Sequence, residues 1–232
     1  MFAVEKFERP HRYDSCDDVA GFEKSVKSIA LERKVKNLQQ VRDLKKLETI
    51  YFFSTVLPQE LATVISECKP LKNLILVGVR KIEAPIQSDS LLLFSADGCS
   101  GLKDLTVIGN CQNLKYVKIV ACIKLASLKG LEKLNALREL EITGAPLSMG
   151  TLDSLKILRN KKQIEYVSLA TRVHDSSLQP ISTLTNLKRF WTSNRYTDAE
   201  YERVLKGCAK LKEVELHNGV YTRDHGFVRN QD

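Results

Sequence analysis

The chain has 232 residues, 43% of them apolar and 28% charged, with a formal net charge of +8. That length and apolar content support a buried core, and no apolar run approaches the roughly 18 residues of a membrane span. The charge admits an anionic partner, nucleic acid or acidic protein, without choosing between them.

The first residues, MFAVEKFERPHRYD, mix acids with bases and lack the apolar stretch of a signal peptide. A cytoplasmic location is expected, or a nuclear one in a eukaryote. Residues 1–22 precede any regular pattern and are predicted to form an N-terminal cap, because the first coil of a repeat array exposes one end of its core.

From there the chain repeats. Val26, Leu47, Leu71, Leu91, Leu114, Leu137, Ile164, Leu187 and Leu211 each open an L-x-x-φ-x-φ run, where φ is apolar and Thr192 is the one exception. Their spacings are 21, 24, 20, 23, 23, 27, 23 and 24 residues. The pattern is clearest over residues 91–142, where Cys99 and Cys122 follow the run at the same offset. Alternation inside each run predicts a short strand with positions 1, 4 and 6 in the core. Leu102 opens a second run that also fits a strand, but it lies only 12 residues before Leu114. The spacing therefore places the strand at residues 91–96 and a connection at residues 102–111.

The connections are of two kinds. Residues 58–76 align without gaps to residues 198–216, and Leu61, Val64, Ile65 and Cys68 match Tyr201, Val204, Leu205 and Cys208. That spacing is one face of a helix, with Pro58 and Asp198 at its start and Glu60 and Glu200 in its first turn. Elsewhere the register is L-x-x-L-x-x-L, as in Leu38, Val41 and Leu44, or Leu178, Ile181 and Leu184, which suits tight 3₁₀ turns. Residues 219–232 follow the last repeat as a C-terminal cap or tail. Of six cysteines, Cys68, Cys99, Cys111, Cys122 and Cys208 fall on apolar positions, where a reduced thiol acts as a small hydrophobe.

A unit of 20–29 residues with this core resembles the leucine-rich repeat, and residues 23–218 carry the resemblance. The run Leu128, Leu131, Leu134, Leu137, Leu140 and Ile142 is similar to internalin-type units, and the helix-plus-cysteine units to the cysteine-containing type. Cys99, Cys122, Ala145 and Thr55 stand where the family usually has asparagine, which favours an irregular or cysteine-containing type. The resemblance implies an α/β fold: a right-handed solenoid with about nine parallel strands on its concave side and short helices and 3₁₀ turns on its convex side. It also implies a protein-protein interaction scaffold of the kind used by enzyme inhibitors, immunity proteins and regulators.

Positions 5 and 7 of each strand should face away from the core. Tyr51, Phe53, Ile75 and Val77 form an apolar patch there on adjacent coils, covered either by a partner or by the chain itself. A second group is Trp191 with Tyr166, Arg189, Arg195 and His217, residue types that dominate binding hot spots. Lys118 holds the central position of the fifth strand. At position 2, Lys27, Lys72, Lys115, Arg138, Lys188 and Lys212 are basic. That column is either a solvated rim or a means of steering an acidic protein.

No metal-ligand spacing, nucleotide-binding loop or nucleophile motif occurs. His174, Asp175 and Ser176 are neighbours on a turn, whereas a triad converges from separate elements. The reading is a monomeric, non-catalytic binder of an acidic protein, with no cofactor, no metal and no membrane. Nucleic acid on the basic rim is the alternative, weakened by few aromatics and by Glu139, Glu141, Glu213 and Glu215 among the bases.

Overall fold

A computed structural model describes residues 14–53, 58–82, 85–143 and 150–229. Fourteen strands occur among them: β1 (Asp14–Asp18), β2 (Ser28–Lys36), β3 (Thr49–Phe53), β4 (Asn73–Val77), β5 (Leu93–Asp97), β6 (Tyr116–Val120) and β7 (Glu139–Thr143), then β8 (Thr151–Leu152), β9 (Tyr166–Leu169), β10 (Arg172–Val173), β11 (Arg189–Thr192), β12 (Glu213–Leu216), β13 (Gly219–Thr222) and β14 (Gly226–Arg229). All except β8 and β10 form one 12-stranded sheet, in chain order. From β1 to β12 every pairing in it is parallel. Parallel neighbours need a crossover between them, and one coil of the repeat supplies each crossover.

The register equals the repeat. Ile29, Ile50, Leu74, Phe94, Val117, Leu140, Val167, Phe190 and Val214 pair across successive strands as one column. Every member of that column is buried, and the next inward position adds Leu31, Phe52, Leu76, Ala96, Ile119, Ile142 and Leu169. A buried side chain of this size contributes about 1.5–3 kcal/mol by leaving water. Stacked coils thus share one continuous core, where an isolated coil would leave its apolar face in water. The fold is a leucine-rich repeat solenoid.

Each expected strand has formed, and the ambiguity near Leu102 is resolved. Residues 93–97 form β5, whereas Thr106–Ile108 is a 3₁₀ turn with Leu102, Leu105 and Ile108 buried beneath it. Helix α1 (Pro58–Glu67) and helix α2 (Asp198–Gly207) bury the matched apolar faces, and Leu38–Asp43 and Ile181–Thr183 are 3₁₀ turns. At one turn both conformation and space require glycine. Gly130 has φ +108°, and a Cβ there would lie 2.1 Å from the Leu105 carbonyl oxygen.

The cysteines bind one coil to the next. Cys68, Cys99, Cys111, Cys122 and Cys208 are buried free thiols. They donate to the carbonyl oxygens of Leu47, Leu76, Ile86, Ala96 and Ile181, each in the preceding coil. A small apolar residue would fill the space but leave those carbonyls short of a donor. Burial raises the Cys68, Cys111 and Cys208 thiols to about 11.

Three elements were not anticipated. β1 adds a parallel strand before the first repeat, within the stretch expected to be a cap. β13 and β14 turn back antiparallel on β12 and end the sheet as a hairpin. β8 and β10 pair in a separate two-stranded sheet.

Candidate interaction surface

The face of the sheet turned away from the core is built from positions 3, 5 and 7, and its two ends differ. At the N-terminal end, Tyr51 pairs in register with Ala30 and Ile75. Ala30 is 0% and Tyr51 only 5% exposed, while Phe53, Ile75 and Val77 are half-buried. Tyr51 is therefore nearly inaccessible in this chain, whereas its three patch neighbours keep part of their surface. Period-two alternation fixes which way a side chain leaves the strand, but not what lies above it.

At the C-terminal end the face is polar and aromatic. The guanidinium of Arg189 lies 5.5 Å from the centre of the Tyr166 ring. Its Nε and Nη2 donate to the two carboxylate oxygens of Glu215 at 2.6 and 2.8 Å. Trp191 stands between Ser168 and Glu215 in the register and is half-buried. Burial, more than its charged neighbours, holds the Tyr166 phenol above its ordinary value. Two χ angles of Trp191 and a forked, stacked guanidinium leave little freedom here, so the group is already ordered. Lys118 lies two strands before Tyr166 and is paired with Glu141 at 3.0 Å.

The expected site residues therefore fall into groups. Tyr51, Phe53, Ile75 and Val77 sit on β3 and β4, and Tyr166, Arg189 and Trp191 on β9 and β11. Arg195 and His217 are exposed beyond the ends of β11 and β12, where they line a cavity of about 510 Å³ with Tyr196, Tyr201, Tyr221 and Phe227. The sequence reading missed Tyr196, as well as Arg172 and His174, which line an adjoining cavity. A signal was present, because Arg172 and Arg195 occupy the same repeat position as Cys99 and Cys122.

The position-2 column is not a uniform positive ladder. Backbone N–H groups of Glu48, Lys72, Arg138, Glu165 and Lys188 each bond the carbonyl of the column member one coil earlier. That stacks neighbouring side chains one strand spacing apart, close enough to pair. Lys72 meets Glu48 at 2.7 Å, while Arg138 and Lys188 flank Glu165 at 3.0 and 2.5 Å. The Lys72 ammonium lowers the Glu48 carboxyl, and Lys188, with Arg138 behind it, lowers that of Glu165. These pairs are largely exposed and stabilise the fold little. Their effect is to consume much of the basic charge.

Among the described residues, no cluster of three or more His, Cys, Asp or Glu side chains could hold a metal ion. His174, Asp175 and Ser176 lie on an exposed turn, where Asp175 accepts from Ser154 Oγ and from the Ser177 N–H. No helix among the described residues is long and apolar enough to cross a membrane.

No family model and no curated protein matches this chain. Among solved structures, an internalin of Listeria monocytogenes is similar, covering 83% of this chain and 74% of its own, at 15% identity and a TM-score of 0.38. A likeness that remote carries no argument about function. The repeat assignment stands on the chain's own coils.

Proposed function

We propose that this chain is a non-catalytic scaffold that binds a protein through the outer face of its parallel sheet, acting as an inhibitor, immunity protein or regulator. The observation that carries the reading is the group of Trp191, Tyr166 and Arg189, with Arg189 locked to Glu215. Aromatic residues and arginine supply most binding hot spots. Here they are held in place before any partner arrives, which reduces the entropy lost on docking. Phe53, Ile75, Val77 and Lys118 extend the same face, with Arg195 and His217 at its margin. The partner carries an acidic patch opposite Arg195 and the unmatched lysines of the rim, and the scaffold acts as a cytoplasmic monomer. Its repeats belong to the irregular, cysteine-containing type with internalin-like units.

Nucleic acid is disfavoured as the partner, because Glu48 and Glu165 interrupt the basic rim and pair with Lys72, Arg138 and Lys188. The test is affinity capture from a native lysate, comparing the wild type with Trp191→Ala, before and after nuclease. One protein retained by the wild type, lost from the variant and indifferent to nuclease is the expected result. Recovery of nucleic acid instead, with binding that collapses as salt rises, would contradict the reading.

A further inference from the structure

Two cavities of about 510 Å³ each meet beyond the carboxyl ends of β9 and β11, and residues 193–196 are their common wall. The first is bordered by Arg172, His174 and Arg195, with hydroxyls from Thr151, Ser176 and Ser193. Among the described residues no carboxylate lines it. The second is walled by Tyr196, Tyr201, Tyr221 and Phe227, and its one carboxylate is Asp198. A cationic compartment thus adjoins an aromatic one across residues 193–196.

The repeat explains how the arginines come together. Eight residues after its anchor, a middle coil turns Cys99 or Cys122 into the core. The coils anchored at Ile164 and Leu187 place Arg172 and Arg195 at that same position, and both are exposed. The β9–β11 register ends at Leu169 and Thr192, and both arginines line the cavity just beyond it. Several neighbouring cations are matched: Arg138 and Lys188 to Glu165, Arg189 to Glu215, Arg203 to Glu200. Among the described residues, neither Arg172 nor Arg195 has an ion-pair partner.

The wall is fixed from behind. Asn194 Nδ2 donates to the Thr171 carbonyl at 2.6 Å, and the Tyr196 N–H donates to Tyr201 Oη at 3.0 Å. Tyr201 Oη in turn donates to the Asn194 carbonyl. Tyr196 lines both compartments, and its hydroxyl is buried with no hydrogen-bond partner among the described residues. Such groups cost about 1–3 kcal/mol and are rare unless something satisfies them.

We propose that this double cavity binds a phosphate monoester carried on an aromatic body, with the phosphate between Arg172 and Arg195 and the ring in the Tyr196 compartment. Two guanidinium forks beside hydroxyl donors suit a tetrahedral oxyanion with three free oxygens better than a two-oxygen carboxylate. Asp198 repels a second anionic group from the aromatic compartment, which selects a monoester of an uncharged body. The site shares Arg195 with the margin of the proposed protein-binding face, and titration of the chain alone reads phosphate binding without that partner.

The test is calorimetric titration of the full chain with phenyl phosphate, beside inorganic phosphate, benzoate and a peptide in its tyrosine-phosphorylated and unmodified forms. Phenyl phosphate should bind saturably and at least tenfold more tightly than benzoate or inorganic phosphate, and more weakly as salt rises. Arg172→Ala and Arg195→Ala should each weaken it about tenfold or more, the loss expected for a hydrogen bond to a charged group. Both side chains are exposed, so thermal unfolding should not move, and Arg172→Lys should recover part of the affinity. Binding of the phosphorylated peptide alongside phenyl phosphate assigns the ligand to a modified protein side chain. Binding of phenyl phosphate alone assigns it to a small aryl phosphate. No saturable binding to the folded wild type would overturn the proposal, as would benzoate binding equally well or full affinity in the Arg172→Ala/Arg195→Ala double variant.

Discussion

The two ends of the sheet's outer face come from the same repeat and reach opposite outcomes. At β3 the central residue, Tyr51, is covered by the chain. At β11 the equivalent residue, Trp191, is half-exposed among Tyr166, Arg189 and Glu215. Repeat position therefore dictates direction, whereas surroundings dictate availability. An aromatic residue at the same repeat position is buried at one end and partly accessible at the other.

The largest expected effect breaks that contrast at its buried end. Tyr51→Ala should destabilise the chain by about 3 kcal/mol, the cost of removing a buried aromatic ring. Chemical denaturation with an unchanged m-value would measure it, and a loss below about 0.5 kcal/mol would mean that Tyr51 contributes little to the core.

Alkaline pH acts on the core and should not distinguish the two ends. Cys68 lies near one end, Cys111 in the middle and Cys208 near the other, and burial raises all three thiols to about 11 from an ordinary value of 9.0. The folded state thus favours the neutral thiol. That contribution is complete below pH 9 and is lost as pH rises through 11. Stability should decline over this window, and alanine at all three positions should flatten the decline. At pH 8 a thiol reagent should leave these cysteines unmodified until denaturant is added.

The exposed end predicts smaller changes. Glu215→Gln should cost the fold about 0.5–1 kcal/mol, because its ion pair with Arg189 is half-exposed. Partner affinity should fall more than stability does, since Arg189 then loses the fork that orients it. Lys72→Gln should change stability by no more than about 0.5 kcal/mol, and 1 M salt should abolish even that difference. A larger, salt-resistant loss would mean that the position-2 column does more than neutralise charge.

How much could be read from the sequence follows the same line. Strands β2 to β7, β9, β11 and β12 were legible because apolar period and coil spacing agree at nine anchors. The choice of β5 over the run at Leu102 followed from coil length alone. β1 and the β13–β14 hairpin were not legible, since a terminal strand needs only one paired edge and leaves no repeated signature. Nor was the two-residue pairing of β8 with β10. At the site, the outward direction of Tyr51 and Trp191 was readable, but the burial of Tyr51 was not. Counting bases at position 2 gave a positive ladder, while reading Glu48 and Glu165 as lateral neighbours would have shown it paired. Arg172 carries no signal of its own; only the repeat position it shares with Cys99 and Cys122 marks it.

The most direct measurement sets Tyr51→Ala beside Trp191→Ala, recording thermal unfolding and capture of the partner from the same preparations. The account predicts that Tyr51→Ala unfolds several degrees lower. Trp191→Ala should unfold within about 2 °C of the wild type, a shift of roughly 1 kcal/mol or less for a chain of this size, yet lose the partner. A Trp191→Ala chain that unfolds much earlier, or that still retains the partner, would contradict the claim that the C-terminal end of the sheet is the recognition surface.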